Sequence, residues 1–227
     1  MVRPIGGPMA DGRLDLVCYD LDGTLIDGTA FLLVARHFGF EEEVLHHDKR
    51  FRSGEITLEE CFEIEFAFLA GRTVGEVREA LRQGTWFPGI GPAVSMLKEA
   101  GLRVAVLTDN PDFITAHLAD AFGIEDQIAS HGVVRDGVVT GEVRPLFDKW
   151  RNLHAFLQRE DVDPRRVAHI GNDVNDTGVW KNIGLGVAVE PTGPAVRDAA
   201  DLVFERIDDH RDIADTVLAW HRGHIDT

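Results

Sequence analysis

The chain has 227 residues, 44% of them hydrophobic and 27% charged, with a formal net charge of −16, two cysteines and four lysines. That length holds one sizeable core with a modest insertion, and no apolar run approaches the ~20 residues of a membrane span. The acidity argues against nucleic-acid or anionic-membrane partners and requires a local positive centre for any anionic substrate.

The opening MVRPIGGPMADGR has no apolar segment of signal-peptide type and is expected to be a mobile leader. LDLVCYDLDGTLID, residues 14–27, follows. Its apolar run at Leu16–Tyr19 predicts a buried strand that delivers Asp20 and Asp22 to its C-terminal end, where ligands bind in open α/β sheets. The two acids are spaced i, i+2 and point the same way, while Gly23 lets the backbone leave the strand sharply. Carboxylates this close repel, so the pattern calls for a cation beside them, most simply a hard divalent ion. A solvated turn would also favour Asp and Gly here.

Between residues 28 and 87 the pattern turns helical. Apolar positions recur from Ala30 to Phe38 with Gly39 as a stop, and the polar run Glu41–Phe51 follows. Thr57 with Glu60 and Thr73 with Glu76 both carry capping-box spacing. The insertion leaves the chain just after Asp22 and is expected to cover that site and exclude water. His46 and His47 are adjacent, about 100° apart on a helix, so a solvated face is preferred to a metal site. Cys18 and Cys61 lack metal-ligand spacing and are expected in the core, in keeping with a reducing cytoplasm.

From Phe87 onward strands and helices alternate. A helix over Pro92–Ala100 and a strand over Leu102–Leu107 are expected, ending in Thr108, Asp109 and Asn110, with Pro111 opening a helix to Phe122. A Thr between a strand end and a helix start suits phosphate, although N-capping alone would also explain it. Asp136-Gly137 between β-branched pairs predicts a hairpin. Lys149 stands at the start of a helix running to Leu157, the wrong sign for that end unless an anion lies nearby. A strand over Arg166–Ile170 ends in Gly171, Asn172, Asp173, Val174, Asn175 and Asp176, and a helix is expected over Val179–Ile183. Strands at Leu185–Val189 and Leu202–Phe204, and helices at Pro194–Ala200 and Asp212–His221, complete an α/β pattern implying a parallel sheet with helices on both faces.

Three strand ends thus carry, in order, DLDGT, a Thr and GNDVND, with a Lys before the last. This order resembles the four motifs of the haloacid dehalogenase-like hydrolase superfamily. The helical insertion, the hairpin and the placement of Lys149 resemble its phosphoserine phosphatase-like branch. The resemblance implies an α/β, Rossmann-like, doubly wound parallel sheet core at 1–27 and 88–227, with a small helical cap inserted at 28–87. It also implies Mg²⁺-dependent hydrolysis of a small phosphorylated metabolite through an aspartyl-phosphate. Asp20 would be the nucleophile and Asp22 the general acid/base, with Thr108 and Lys149 on the phosphoryl oxygens. Asp20, Asp22, Asn172 and Asp173 would form the metal set, and Gly23, Asp109, Asn110 and Asp176 would contact substrate.

Two departures stand out. Asn172 follows Gly171 where the family usually has Asp, so Asp173 or Asp176 would have to supply the missing charge. Phosphoserine phosphatases carry a Glu where this chain has Thr29, and a cap Arg near the positions of Glu63 and Glu65. With Glu55, Glu59 and Glu60 nearby, the cap is expected to disfavour a carboxylate-bearing substrate unless Arg50 or Arg52 turns inward. The competing readings are phosphoserine phosphatase proper, a phosphotransferase or mutase using the same phospho-Asp, and a non-catalytic metabolite-binding module. Release of phosphate from a generic aryl phosphate separates the last from the others.

Overall fold

The computed structural model describes residues 14–225; the expected leader lies outside the described residues. A seven-stranded sheet runs in the order β4-β3-β2-β1-β5-β6-β7. Its strands are β1 (Leu16–Tyr19), β2 (Arg103–Pro111), β3 (Asp126–Arg135), β4 (Val138–Arg144), β5 (Val167–Gly171), β6 (Leu185–Val189) and β7 (Leu202–Phe204). All neighbours are parallel except β3 and β4. That pair is the expected hairpin, with Asp136 and Gly137 both at positive φ, the demand of its two-residue turn.

Strand alternation sorts the core into two layers. Val17 and Tyr19 of β1 and Val104 and Val106 of β2 face one side, under α5 (Ile90–Glu99) and α11 (His210–His221). Leu16, Cys18, Ala105 and Leu107 face the other, under α8 (Lys149–Arg159) and α9 (Val174–Trp180). β1 lies between β2 and β5, with Tyr19 level with Val106 and Ile170, so the chain after all three strands emerges at one edge. Here the connections diverge to opposite sides of β1, and the crevice of a doubly wound sheet opens.

Between β1 and α5 lie α1 (Ala30–Phe38), α2 (Glu41–Arg52), α3 (Leu58–Ala67) and α4 (Val74–Arg82). Both capping boxes form: Thr57 and Thr73 each accept from the amide three residues on, and Glu60 and Glu76 reach back to the cap amides. The entering and leaving chains pair, the Asp27 amide on Thr85 O at 2.9 Å and the Phe87 amide on Leu25 O at 3.0 Å. The insertion also joins the β3–β4 hairpin: the Gly71 amide donates to Val139 O and the Val139 amide to Arg72 O, at 2.9 and 2.8 Å. Gly141 on β4 makes this approach possible, because a Cβ there would lie 3.1 Å from Ala67 Cα.

Several boundaries differ from the sequence reading. The helix expected from Pro92 starts at Ile90, with Pro92 tolerated in its first turn. Pro111 ends β2 and caps the start of the next helix, one position before the first turn expected for it, and that helix divides into α6 (Asp112–Thr115) and α7 (His117–Phe122). The helix expected over Val179–Ile183 spans Val174–Trp180, because Asp173 caps it through a capping box closed by Asp176. The helix expected over Pro194–Ala200 is α10 (Pro194–Arg197). Cys18 and Cys61 are buried and unpaired, as expected. No helix among the described residues is long and apolar enough to cross a membrane.

Candidate active site

The loops after β1, β2 and β5 and the start of α8 enclose a pocket of about 360 Å³ lined by Asp20, Asp22, Thr108, Lys149, Asn172 and Asp173, among others. Lys149 is 3% exposed. Its Nζ lies 2.8 Å from Asp20 Oδ1 and 2.8 Å from Asp176 Oδ1, the anionic company its helix position called for. Burial alone would strip its proton, but Asp176, Asp20 and Asp109 hold it well above the ordinary lysine range. Burial pushes the Asp20 carboxyl well up; Lys149 pulls it back, while Asp176 and Asp22 add to the rise.

Asp22 is held differently. Its Oδ1 accepts the Ala30 amide, the first of α1, and its Oδ2 accepts Asn110 Nδ2, both at 2.8 Å. Burial raises this carboxyl in spite of both bonds, which favours the protonated form a general acid needs. Asn110 also donates to Thr108 Oγ1 at 3.3 Å. It therefore positions the acid and the hydroxyl together. Asp109 keeps a buried Oδ1 without a hydrogen-bond partner, and burial lifts its carboxyl to about 6.

Two residues expected to contact substrate have their polar groups engaged inside the protein. Asp176 is fully buried. Its Oδ1 meets Lys149 and His169 Nε2 at 2.8 and 2.9 Å, and its Oδ2 accepts the amides of Asn172 and Asp173 at 2.9 and 3.0 Å. Every direction is used inside the protein, so Asp176 orients Lys149 and the β5 loop. Burial would raise it, but Lys149 and His169 hold it well below the ordinary range. Gly23 has its amide engaged by Ile26 O and Gly28 O. Its role is room: φ is +67°, and a Cβ would collide with the Asn172 amide nitrogen.

His169 and His210 were not singled out from sequence. His169 Nδ1 lies 3.2 Å from Cys18 O, so it ties the β1 strand to Asp176. A histidine inside the apolar run VAHIG was the available signal. His210 Nε2 donates to Thr24 O at 3.0 Å and braces the loop after Asp22; burial lowers it to about 4.

Among the described residues no three His, Cys, Asp or Glu side chains converge on one point as a ready metal cage. The pocket nevertheless fits a hard divalent ion. Asp20, Asp22, Asp109 and Asp173 face it against Lys149 alone, and Asn172 adds an amide oxygen. An oxygen donor set this sparse suits Mg²⁺, which keeps waters and binds substrate phosphate. Asp173 offers less than expected, since its Oδ1 accepts the Val174 amide and Thr192 Oγ1, both at 2.7 Å.

A second cavity, about 430 Å³, extends from Asp22, Thr29, Asp109 and Asn110 into the insertion. Of the five glutamates expected to make the insertion acidic, only Glu65 lines it. Glu55 pairs with Arg50, Glu60 closes its capping box, and Glu59 and Glu63 are exposed. Arg52 does line the cavity, bound to Asp48 Oδ2 at 2.7 Å.

The model of the haloacid dehalogenase-like hydrolases matches residues 14–184. The chain is 25% identical over 197 residues to a phosphoserine phosphatase of Methanocaldococcus jannaschii, covering 85% of this chain and 93% of that one. It is 31% identical over 189 residues to one of Streptomyces coelicolor, covering 82% of this chain but 46% of the relative. The fold matches a phosphoserine phosphatase solved as a phospho-aspartyl intermediate analogue, with a TM-score of 0.72, 24% identity and coverage of 90% and 99%. Motif order, site geometry and family match agree, and the chain belongs to the haloacid dehalogenase-like hydrolases, on their phosphoserine phosphatase-like branch.

Proposed function

We propose that the chain is a Mg²⁺-dependent phosphatase acting on a small phosphomonoester, with residues 28–87 as the cap over its site and a cytoplasmic setting. The observation that carries this reading is one loop presenting two carboxylates with different partners. Asp20 is paired with the buried ammonium of Lys149, and Asp22, two residues on, is held by the Ala30 amide and Asn110 Nδ2 and lines the same pocket.

With Lys149 on Oδ1, Asp20 Oδ2 is left for phosphorus. An Asp20 oxygen attacks in line, a P–O bond forms, and the bond to the leaving alcohol breaks as Asp22 gives that oxygen its proton. Asp22, now ionised, takes a proton from water. The water oxygen attacks phosphorus, the Asp20–phosphorus bond breaks, and phosphate leaves with both carboxyls restored. Thr108 Oγ donates to a phosphoryl oxygen, and Lys149 offsets the repulsion between Asp20 and the anionic substrate. Asp20, the Asp22 main-chain carbonyl, Asn172 and Asp173 would hold Mg²⁺, which supplies charge neutralisation to the phosphoryl group. The relatives named phosphoserine phosphatase support the same reaction class.

The test is Mg²⁺-dependent phosphate release from an aryl phosphate, with mass spectrometry for a phosphoryl adduct on Asp20. Turnover should vanish in Asp20→Asn; substantial turnover in that variant would overturn the covalent route.

A further inference from the structure

The cavity beyond Asp22 lies where the leaving alcohol of the proposed reaction would sit, so its walls read out the alcohol's chemistry. The walls are mostly apolar. Phe31, Phe62 and Phe66 form one surface, with ring centroids 4.5 Å apart for Phe31–Phe66 and 5.3 Å for Phe62–Phe66. Into this surface projects Glu65, one turn along α3 from Cys61, whose thiol donates to Glu65 Oε1 at 3.3 Å.

The cavity's one cation does not serve Glu65. Arg52 is bound to Asp48 within α2, its side chain 74% exposed, so its charge is answered at the rim. Among the described residues no lysine, arginine or histidine forms an ion pair with Glu65. A half-buried carboxylate against phenyl rings, without a cation, is costly unless a ligand supplies the partner. Asp109 also lines the cavity, and its Oδ1 is a buried acceptor with no donor. Carboxylate acceptors and aromatic faces in one cavity match an ammonium group, which gains from carboxylate and from ring faces alike. A substrate carboxylate would meet Glu65 instead, with Arg52 already engaged by Asp48.

Resting on the phosphatase reading, we infer that the substrate is the phosphate monoester of an amino alcohol, with its ammonium group at Glu65, an apolar body against Phe31, Phe62 and Phe66, and no carboxylate. Glu65 is then a specificity-determining residue, acting on the leaving group and not on the phosphoryl transfer. Burial already lifts its carboxyl to about 7, against the Cys61 bond and with Asp48 adding to the rise, consistent with a group awaiting a cation.

The experiment compares kcat/KM for ethanolamine phosphate, 3-aminopropanol phosphate, glycerol phosphate and phosphoserine in the wild type, Glu65→Gln and the exposed control Glu63→Gln. The amino alcohol phosphates should exceed phosphoserine and glycerol phosphate by about tenfold or more. Glu65→Gln should erase that preference, mainly through KM for the amines, and Glu63→Gln should keep it. A wild-type preference for phosphoserine, or a Glu65→Gln loss equal for charged and neutral alcohols, overturns the inference. Calorimetric binding of free 3-aminopropanol against serine reads the same pocket without turnover. An inactive enzyme that still prefers the amine would therefore sink the phosphatase reading and leave the pocket assignment standing.

Discussion

The strand tips and the helical insertion handle charge in opposite ways. At the tips Lys149, Asp20, Asp176 and His169 are almost wholly buried, and each is answered by a neighbour within 3 Å. In the insertion the charges are mostly exposed, several of them in local pairs such as Arg50–Glu55 and Arg52–Asp48, and among the described residues the half-buried Glu65 has no cation. A saturated network leaves little freedom and suits chemistry common to many substrates. An unsatisfied carboxylate in an apolar cavity is a recognition element waiting for its ligand.

The comparison breaks most severely at Lys149. Lys149→Met removes the only ammonium between Asp20 and Asp176, and breaking such a buried pair costs about 3–5 kcal/mol. Denaturant titration should show that loss, and phosphate release should disappear. Retained stability would mean the network is not what secures the tips. Next comes Asp22→Asn, which keeps the loop's shape but removes the proton donor, with an expected loss of ~10²–10⁴ in kcat for alkyl phosphates. The loss should shrink for an aryl phosphate, whose good leaving group needs less protonation, and equal losses for both would count against the acid role.

A third comparison separates metal from phosphate at the tips. Asn172→Ala should raise the Mg²⁺ concentration needed for half-maximal activity more than Thr108→Ala does, and a chelator should abolish activity in both. A matching Mg²⁺ requirement in the two variants would remove Asn172 from the ligand set. The fourth uses pH. His210 is fully buried, with its folded value lowered from 6.5 to about 4. Its contribution to stability is therefore complete above pH ~6.5 and lost as pH falls towards 4, up to about 3 kcal/mol. His210→Gln should flatten that limb of the stability profile; an unchanged slope would assign the acid sensitivity elsewhere. The smallest effect is expected in the insertion, where Thr73→Ala removes a capping box worth about 1 kcal/mol without altering the tips. Thermal denaturation should register the loss, while kcat on an aryl phosphate should stay close to wild type.

The nucleophile loop and Lys149 were legible because their chemistry is written locally: an apolar strand, two aspartates at i, i+2, and a lysine with the wrong sign for its helix end. Asp176 was misplaced because the helix after β5 starts earlier than its apolar pattern suggests. Asp173 and Asp176 form its capping box, which turns Asp176 into the interior. The glutamates of the insertion looked alike in sequence, yet of these only Glu65 lines the cavity.

Local sequence alone determined the α/β alternation, the hairpin turn at Asp136-Gly137, both Thr-Glu capping boxes and the carboxylates at the end of β1. Each depends on backbone geometry or hydrogen bonds reaching only a few residues. Tertiary structure decided which charges are answered. Asp20, Lys149, His169 and Asp176 come together from distant parts of the chain through strand order, and Glu65 is left without an ion pair among the described residues because Arg52, which lines the same cavity, is bound to Asp48. Burial sets the energy of such groups, and burial is a property of the packed molecule that no short stretch of sequence contains.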